Sequence, residues 1–146
     1  MRKLKEDYLI RIRSSVEQGG PPETVELATK GSFVRKNGSF FITYRETEAT
    51  GYAGCTTTLK VAEDGSRVAM LRFGEAQTQL IIEKGRRNVC HYETGYGSIT
   101  LGVTADEIRH ELTDKGGRVR FSYVLDADGP ELMSKSSLDI SVVHLN

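Results

Sequence analysis

The sequence has no tryptophan, only three prolines and two cysteines, and no excess of charge of either sign. Lysine plus arginine and aspartate plus glutamate number 20 each among the 146 residues. A protein that grips nucleic acid usually carries a basic excess, because contacts with phosphates supply most of its affinity. The even balance therefore argues against nucleic acid as the main partner, although local basic patches stay open.

Long apolar runs are also missing. The apolar stretch that starts at Tyr8 is interrupted by Arg11 and Arg13, so the N-terminal residues do not resemble a secretory signal. No stretch reaches the roughly 20 apolar residues of a membrane-spanning helix. We therefore expect a cytoplasmic protein that has no membrane partner.

The two cysteines, Cys55 and Cys90, lie far apart in the sequence and do not have the spacing of metal ligands. Without an export signal, buried free thiols are favoured, and a disulfide stays the alternative.

Residues that could carry catalysis or hold a metal ion are sparse. His91, His110 and His144 are not accompanied by a Gly-x-Ser-x-Gly motif or by the local signature of an activated cysteine. His91 and Glu93 would share a strand face, but a metal site needs three or four ligands. The sequence therefore predicts a protein without catalytic residues, metal or cofactor.

What the chain does have is 15 glycines placed between short runs of alternating residues. From Tyr8 to Val16 the even-numbered residues are mainly apolar, which is the period of a strand with one buried face. Asn37-Gly38 predicts a type I′ hairpin, because both residues tolerate positive φ. Further glycine-containing turns, at 64–65, 84–85, 95–97, 115–117 and 127–130, divide the rest of the chain into strands.

About ten strands joined by short turns predict an all-β fold, a closed or nearly closed antiparallel up-and-down β-barrel that forms one domain over residues 1–146. Closure is expected because an open meander would leave two exposed edges. A two-sheet sandwich is the alternative, but it usually needs longer crossovers. Residues 104–113 fit a strand or a short helix, and alternation of Ile108, His110 and Leu112 favours the strand.

Short motifs spread along nearly the whole chain carry a family resemblance. They are Tyr44-Arg45-Glu46, Thr56-Thr57-Thr58-Leu59-Lys60, Arg72-Phe73-Gly74, Tyr92-Glu93-Thr94-Gly95-Tyr96-Gly97, and Phe121–Leu125 with Leu138-Asp139-Ile140. These motifs resemble the YwiB family of bacterial proteins of unknown function, whose fold is a lipocalin-like, calycin-type barrel. The resemblance implies that fold and a cytoplasmic setting, and it brings no catalytic residues. The chain lacks the Gly-x-Trp of secreted lipocalins, so carriage of ligands between cells is not implied.

Alternation also carries two charged residues into the barrel. If Tyr44 faces inward, so does Glu46, and if Met70 faces inward, so does Arg72. An unpaired buried charge is costly, so the two residues should pair. The pair then either closes the barrel mouth as a structural ion pair or forms the polar end of a pocket for a small amphipathic ligand. The second interpretation predicts the ligand-binding residues Tyr44, Glu46, Arg72, Tyr92 and Thr94.

The outer surface offers the alternative function, a structural or interaction module that contacts a protein or RNA. Two arginines lie on the outer face of the first strand and two on that of a late strand, and these strands would meet in a closed meander. The four residues are Arg11, Arg13, Arg118 and Arg120. Tyr52 and Tyr96, both in loops, would offer stacking surfaces for bases. The sequence leaves the oligomeric state open.

Overall fold

Ten β-strands make up the regular structure of the chain. The computed structural model describes residues 5–47, 53–74, 77–94, 97–127 and 133–145, and for 92–94, 97–98 and 133 it describes the backbone alone. The strands are Tyr8–Glu17 (β1), Glu23–Lys36 (β2), Ser39–Arg45 (β3), Thr56–Ala62 (β4), Arg67–Phe73 (β5), Thr78–Glu83 (β6), Arg87–Thr94 (β7), Gly97–His110 (β8), Gly116–Asp126 (β9) and Met133–His144 (β10). Within the described ranges, no helix has the length and apolarity that crossing a membrane would require.

The strands form a closed antiparallel barrel. Each strand pairs with the next one along the chain, and β1 pairs with β10 from Tyr8 opposite His144 to Glu17 opposite Lys135. The predicted up-and-down barrel is therefore confirmed, and the two-sheet sandwich is wrong. Closure removes the two free edges that an open meander would expose.

The core lies inside the barrel and is built by alternation along every strand. Ile10, Ile42, Leu59, Ile82 and Ile140, from five different strands, are all completely buried. Burial of this kind contributes roughly 25 cal/mol for each Å² of apolar surface removed from water. The core is therefore the sum of many inward faces, and no helix is needed to cover it.

Cys55 and Cys90 are both free and both buried. The predicted free thiols are therefore confirmed, and the disulfide alternative is wrong.

Residues 104–110 continue β8 as a strand, so the strand prediction is confirmed there and the short helix is wrong. The register between β8 and β9 shifts between Ala105 and Glu107, which leaves Asp106 in a β-bulge. Ser122 on β9 donates a hydrogen bond to the Asp106 carboxylate at 3.0 Å. Thr104 and Glu107 have the spacing of a helix capping box, but in the structure they lie at a bulge in a strand.

Strand β2 changes partners at Gly31. Its residues 23–31 pair with β1 and its residues 31–36 pair with β3, so Gly31 lies opposite both Tyr8 and Tyr44. A Cβ atom at Gly31 would lie 2.3 Å from Cδ1 of Ile10 and 2.4 Å from the carbonyl oxygen of Thr43. Glycine is required at this corner because any side chain would collide with its neighbours. On the N-terminal side of Gly31, residues 23–30 continue alongside β1.

The barrel is held most weakly between β6 and β7. Within the described ranges, these strands share one ladder pair, Thr78 opposite Tyr92, and the hairpin bridge of Glu83 with Arg86. The segment from Arg86 to Tyr92 is one residue longer than the segment from Thr78 to Glu83 that it faces. The β7 side therefore contains an extra residue, as in a β-bulge. Asn88 Nδ2 donates to the carbonyl oxygen of Ile81 at 3.3 Å, where a side chain takes the place of a ladder bond. We call this junction the β6–β7 seam.

We expect the backbone amides along the β6–β7 seam to exchange with solvent faster than those of β9 and β10, because fewer ladder bonds hold them. Hydrogen exchange followed by mass spectrometry or NMR measures this difference. Asn88→Ala should speed exchange at the seam further, whereas Ser137→Ala on the exposed face of β10 should not. Equal protection of the seam and of the β9–β10 ladder would contradict the weaker pairing of β6 with β7.

Candidate functional site

Polar side chains gather inside the barrel at the end where β3 and β5 finish and β4 begins. Tyr44 on β3 lies opposite Thr57 on β4, and Thr57 lies opposite Arg72 on β5. The backbone N–H of Glu46 donates to the carbonyl oxygen of Cys55 at 2.9 Å, which continues the pairing past the end of β3. Glu46 therefore keeps the inward direction of Tyr44, and three neighbouring strands present their polar groups together.

A hydrogen-bonded ion pair forms the centre of this group. Nη2 of Arg72 lies 3.4 Å from Oε1 of Glu46. The Thr57 hydroxyl donates to the same carboxylate oxygen at 2.7 Å, and Nε of Arg72 donates to the Thr57 hydroxyl at 3.3 Å. The side chain of Glu46 is 1% exposed and that of Arg72 is 12% exposed. The pairing that alternation predicts is thus present in the structure, and it is buried.

The Tyr44 hydroxyl completes the group by donating a hydrogen bond to Glu46, and it also contacts Thr57. Burial raises the pKa of Tyr44 well above its ordinary value, and the Glu46 carboxylate raises that pKa further. The opposing effect of Arg72 is smaller. Tyr44 therefore stays a neutral hydrogen-bond donor at neutral pH. We call Tyr44, Glu46, Thr57 and Arg72 the polar cluster.

Apolar side chains that are only partly buried share this end of the barrel. They come from strands β2, β8, β9 and β10 and pack against the core: Leu27, Leu101, Leu125 and Leu138. Ile99 has the inward parity of Leu101 and is 49% exposed. We call the four leucines the apolar wall. The polar cluster and the apolar wall together give this end of the barrel an amphipathic character.

The structure brings together three of the five predicted ligand-binding residues, Tyr44, Glu46 and Arg72. The backbone of Tyr92 lies opposite Thr78 and Ile99, and that of Thr94 lies opposite Gly97. The side chains of Tyr92 and Thr94 fall outside the described residues. A ligand-binding role for all five stays a prediction.

Thr57 is the member of the polar cluster that sequence reasoning missed. It is completely buried and links the two charged residues. The signal was present, because Thr57 has the same parity as the buried Leu59 and Val61 of β4. A hydroxyl with inward parity next to a predicted buried charge is the pattern that identifies such a residue.

The predicted arginines of the outer surface lie close together. Across β1, β10 and β9, Arg13 and Arg120 flank Asp139, while Arg11 and Arg118 flank Ser141. Asp139 forms ion pairs with Arg118 and, at 3.4 Å, with Arg120, and Arg13 pairs with Glu26 at 3.6 Å. The hydrogen bond from Arg118 holds the pKa of Asp139 below its ordinary value. Acidic groups thus neutralise much of this surface. Tyr52 and Tyr96 fall outside the described residues.

Each histidine has a structural partner. His91 Nδ1 lies 3.1 Å from the hydroxyl of Thr100, and His110 Nε2 lies 2.7 Å from the carbonyl oxygen of Glu63. His144 lies 3.4 Å from a carboxylate oxygen of Asp7. Within the described parts of the chain, no three histidine, cysteine, aspartate or glutamate side chains converge as a metal site requires.

We expect Arg72→Ala to lower the free energy of unfolding by about 3–5 kcal/mol, because it leaves the Glu46 carboxylate buried without its partner. Glu46→Gln should cost less, since an amide oxygen still accepts a hydrogen bond from the guanidinium. Chemical denaturation of both variants and of the double variant measures the losses and the coupling between the sites. Arg45→Ala is the control, because Arg45 is 72% exposed and pairs with Glu6 at the surface. A loss in Arg72→Ala as small as that in the control would contradict the buried pair.

Alkaline pH should destabilise the protein through Tyr44. The raised pKa in the folded state means that, above the ordinary tyrosine pKa of 10.0, the unfolded chain releases this proton first. The contribution of Tyr44 to stability is therefore complete below about pH 10 and is lost as the pH rises further. Urea denaturation from about pH 8 to about pH 11 measures this slope. Tyr44→Phe should flatten it, and Tyr8→Phe, at the other end of the barrel, should not; an unchanged slope in Tyr44→Phe would refute the assignment.

Known proteins with the same architecture match most of this chain. The uncharacterized beta-barrel protein YwiB of Bacillus subtilis (strain 168) is 24% identical over 121 residues, which cover 83% of this chain and 82% of that protein. The crystal structure of the ywiB protein from Bacillus subtilis has a TM-score of 0.73 at 19% identity, covering 92% of this chain and 89% of that one, and this likeness shows the fold. The resemblance predicted from the sequence motifs is therefore confirmed. Residues 10–140 match the family described as Domain of unknown function (DUF1934), and the chain belongs to that family.

Proposed function

We propose that the protein is a non-catalytic, cytoplasmic binding protein that holds a small amphipathic ligand at the end of the barrel where the polar cluster lies. The observation that carries this proposal is the polar cluster, which lies at the same end of the barrel as partly exposed leucines. Ligand sites commonly combine an apolar lining with a few convergent polar groups that fix orientation. The ligand would point its polar end at Tyr44 and Arg72 and lay its apolar part against the wall.

The energetics of the ion pair support a functional role. Desolvation of two charges offsets most of their attraction, so well-packed apolar side chains of similar volume stabilise a protein as well or better. A barrel filled for stability alone would have no need of Glu46 and Arg72. The two hydroxyl groups of Tyr44 and Thr57 hold the carboxylate in place, as a site that orients a ligand requires.

The apolar wall supplies the driving force for binding. Leu27, Leu101, Leu125 and Leu138 each keep some exposed surface in the structure. Covering that surface with a ligand would gain roughly 25 cal/mol for each Å² removed from water. A ten-stranded barrel also encloses more room than the eight-stranded barrels that hold one small ligand.

The polar cluster has few of the features of an active site. Its carboxylate accepts hydrogen bonds from Tyr44, Thr57 and Arg72, so Glu46 is engaged on several sides. The raised pKa of Tyr44 opposes its use as a nucleophile or a base near neutral pH. Binding is therefore the better supported activity.

Contact with RNA or a protein through the outer surface has less support. The arginines of β1 and β9 share their surface with Asp139 and Glu26, which pair with them. Such mixtures of charge keep a protein soluble and do not concentrate potential of one sign.

Native mass spectrometry of the protein as purified from cells tests the binding proposal. We expect a small-molecule adduct that disappears on denaturation, and binding of the neutral amphipathic dye Nile red once the adduct is removed. Leu27→Glu should abolish both signals, because it places a charge on the apolar wall. Ala28→Glu is the matched control, since the neighbouring residue is exposed on the outer face and should leave both signals unchanged. Circular dichroism shows that each variant is folded. Absence of both the adduct and dye binding in the folded wild-type protein would refute the proposal.

A further inference from the structure

The polar cluster contains one negative and one positive side chain, those of Glu46 and Arg72. Among the described residues, Glu46 is the only carboxylate that the fold buries, and its ion-pair partner is Arg72. The two opposite charges lie 3.4 Å apart in a place with little access to water. The interior of this barrel end is therefore polar, but it carries no net charge from these two residues.

A ligand that brought its own charge would disturb this balance. Interactions between charges are stronger in a protein interior than in water, and an uncompensated charge there is costly. A carboxylate that approached Arg72 would also approach Glu46, which repels it, and an ammonium group near Glu46 would meet Arg72. An uncharged polar group avoids both penalties.

The hydrogen-bonding groups of the cluster suit an uncharged partner. Tyr44 and Thr57 both give their protons to the Glu46 carboxylate, and the Thr57 oxygen already accepts from Nε of Arg72, so the Tyr44 oxygen is the acceptor that the cluster offers. Arg72 supplies donors from a guanidinium that is 12% exposed. A hydroxyl or primary amide, which donates and accepts at once, matches this set, whereas a carboxylate only accepts and an ammonium only donates.

We infer that the ligand carries an uncharged head group, a hydroxyl or an amide, on an apolar body, and that Glu46 is the residue that sets this specificity. This inference rests on the proposed binding function. An arginine without Glu46 would instead favour a carboxylate, because guanidinium and carboxylate form strong paired hydrogen bonds. Glu46 places its own carboxylate 3.4 Å from Nη2 of Arg72 and so removes the site for an acid.

Displacement of Nile red by three ligands of equal chain length tests the inference on the wild-type protein. Decan-1-ol, decanoate and decylammonium differ only in their head groups, and at pH about 8 the last two are charged. We expect decan-1-ol to bind about tenfold or more tightly than either charged ligand, which corresponds to about 1.4 kcal/mol for the penalty of an added charge. Decanoate or decylammonium binding as tightly as the alcohol would overturn the inference.

The role of Glu46 is tested by Glu46→Gln, which removes the carboxylate beside Arg72 at nearly constant shape. This variant should bind decanoate about a hundredfold more tightly than the wild-type protein does, so that decanoate overtakes decan-1-ol. Glu26→Gln is the matched control, because it makes the same change of charge at an outer side chain that is 73% exposed. The order of affinities should be unchanged in that control, and an unchanged order in folded Glu46→Gln would overturn the role of Glu46.

The two proposals fail in different ways. If the wild-type protein neither carries an adduct nor binds Nile red, the binding function itself is wrong and the inference falls with it. If the dye binds but decan-1-ol does not displace it, the binding function stands and the inference is wrong. If decanoate binds the wild-type protein best, the barrel is a binding protein but its ligand is an acid. Should Glu46→Gln not fold, the ranking of the three ligands on the wild-type protein still decides the class of head group.

Discussion

Closure of the sheet places every second side chain of its ten strands in an interior that excludes water. For most strands these residues are aliphatic, as with Ile42 on β3 and Met70 on β5. The same parity carries Glu46 inward four residues after Ile42 and Arg72 inward two residues after Met70, and the strand geometry offers them no other direction. Each charge is tolerable only because the other is present. The interior chemistry of the barrel therefore follows from where alternation ends on β3 and β5, the two strands that flank β4.

The two ends of the barrel differ because β2 bends at Gly31. On one side of the bend β2 pairs with β3, and Phe33 stacks on Phe40 at a centroid distance of 5.8 Å, which fills that end with aromatic rings. On the other side β2 continues along β1, past the end of β3. There the wall carries Leu27, which stays partly exposed. A single residue without a side chain thus separates the end filled with aromatic rings from the end that holds the polar cluster.

The strands and the buried ion pair were predictable because both depend on local period-two patterns, which a sequence displays directly. Thr57 was missed because its importance arises only when β3, β4 and β5 are in register. The β6–β7 seam was hidden for the same reason, since the step of one residue between Thr78–Tyr92 and Glu83–Arg86 exists only in the pairing. Register is a relation between strands, and no single strand encodes it.

The Glu46 carboxylate contributes both to the stability of the barrel and to the ligand specificity inferred above. In the folded barrel, Glu46 offsets the cost of burying Arg72, and the hydroxyls of Tyr44 and Thr57 hold Glu46 in place. Such preorganisation reduces the conformational-entropy cost of ordering the site when a ligand binds. The same arrangement occupies the guanidinium, which would otherwise favour an acid. A barrel that folds with Arg72 inside must therefore keep a partner for it, and in the binding function proposed above that partner restricts the head groups that can enter.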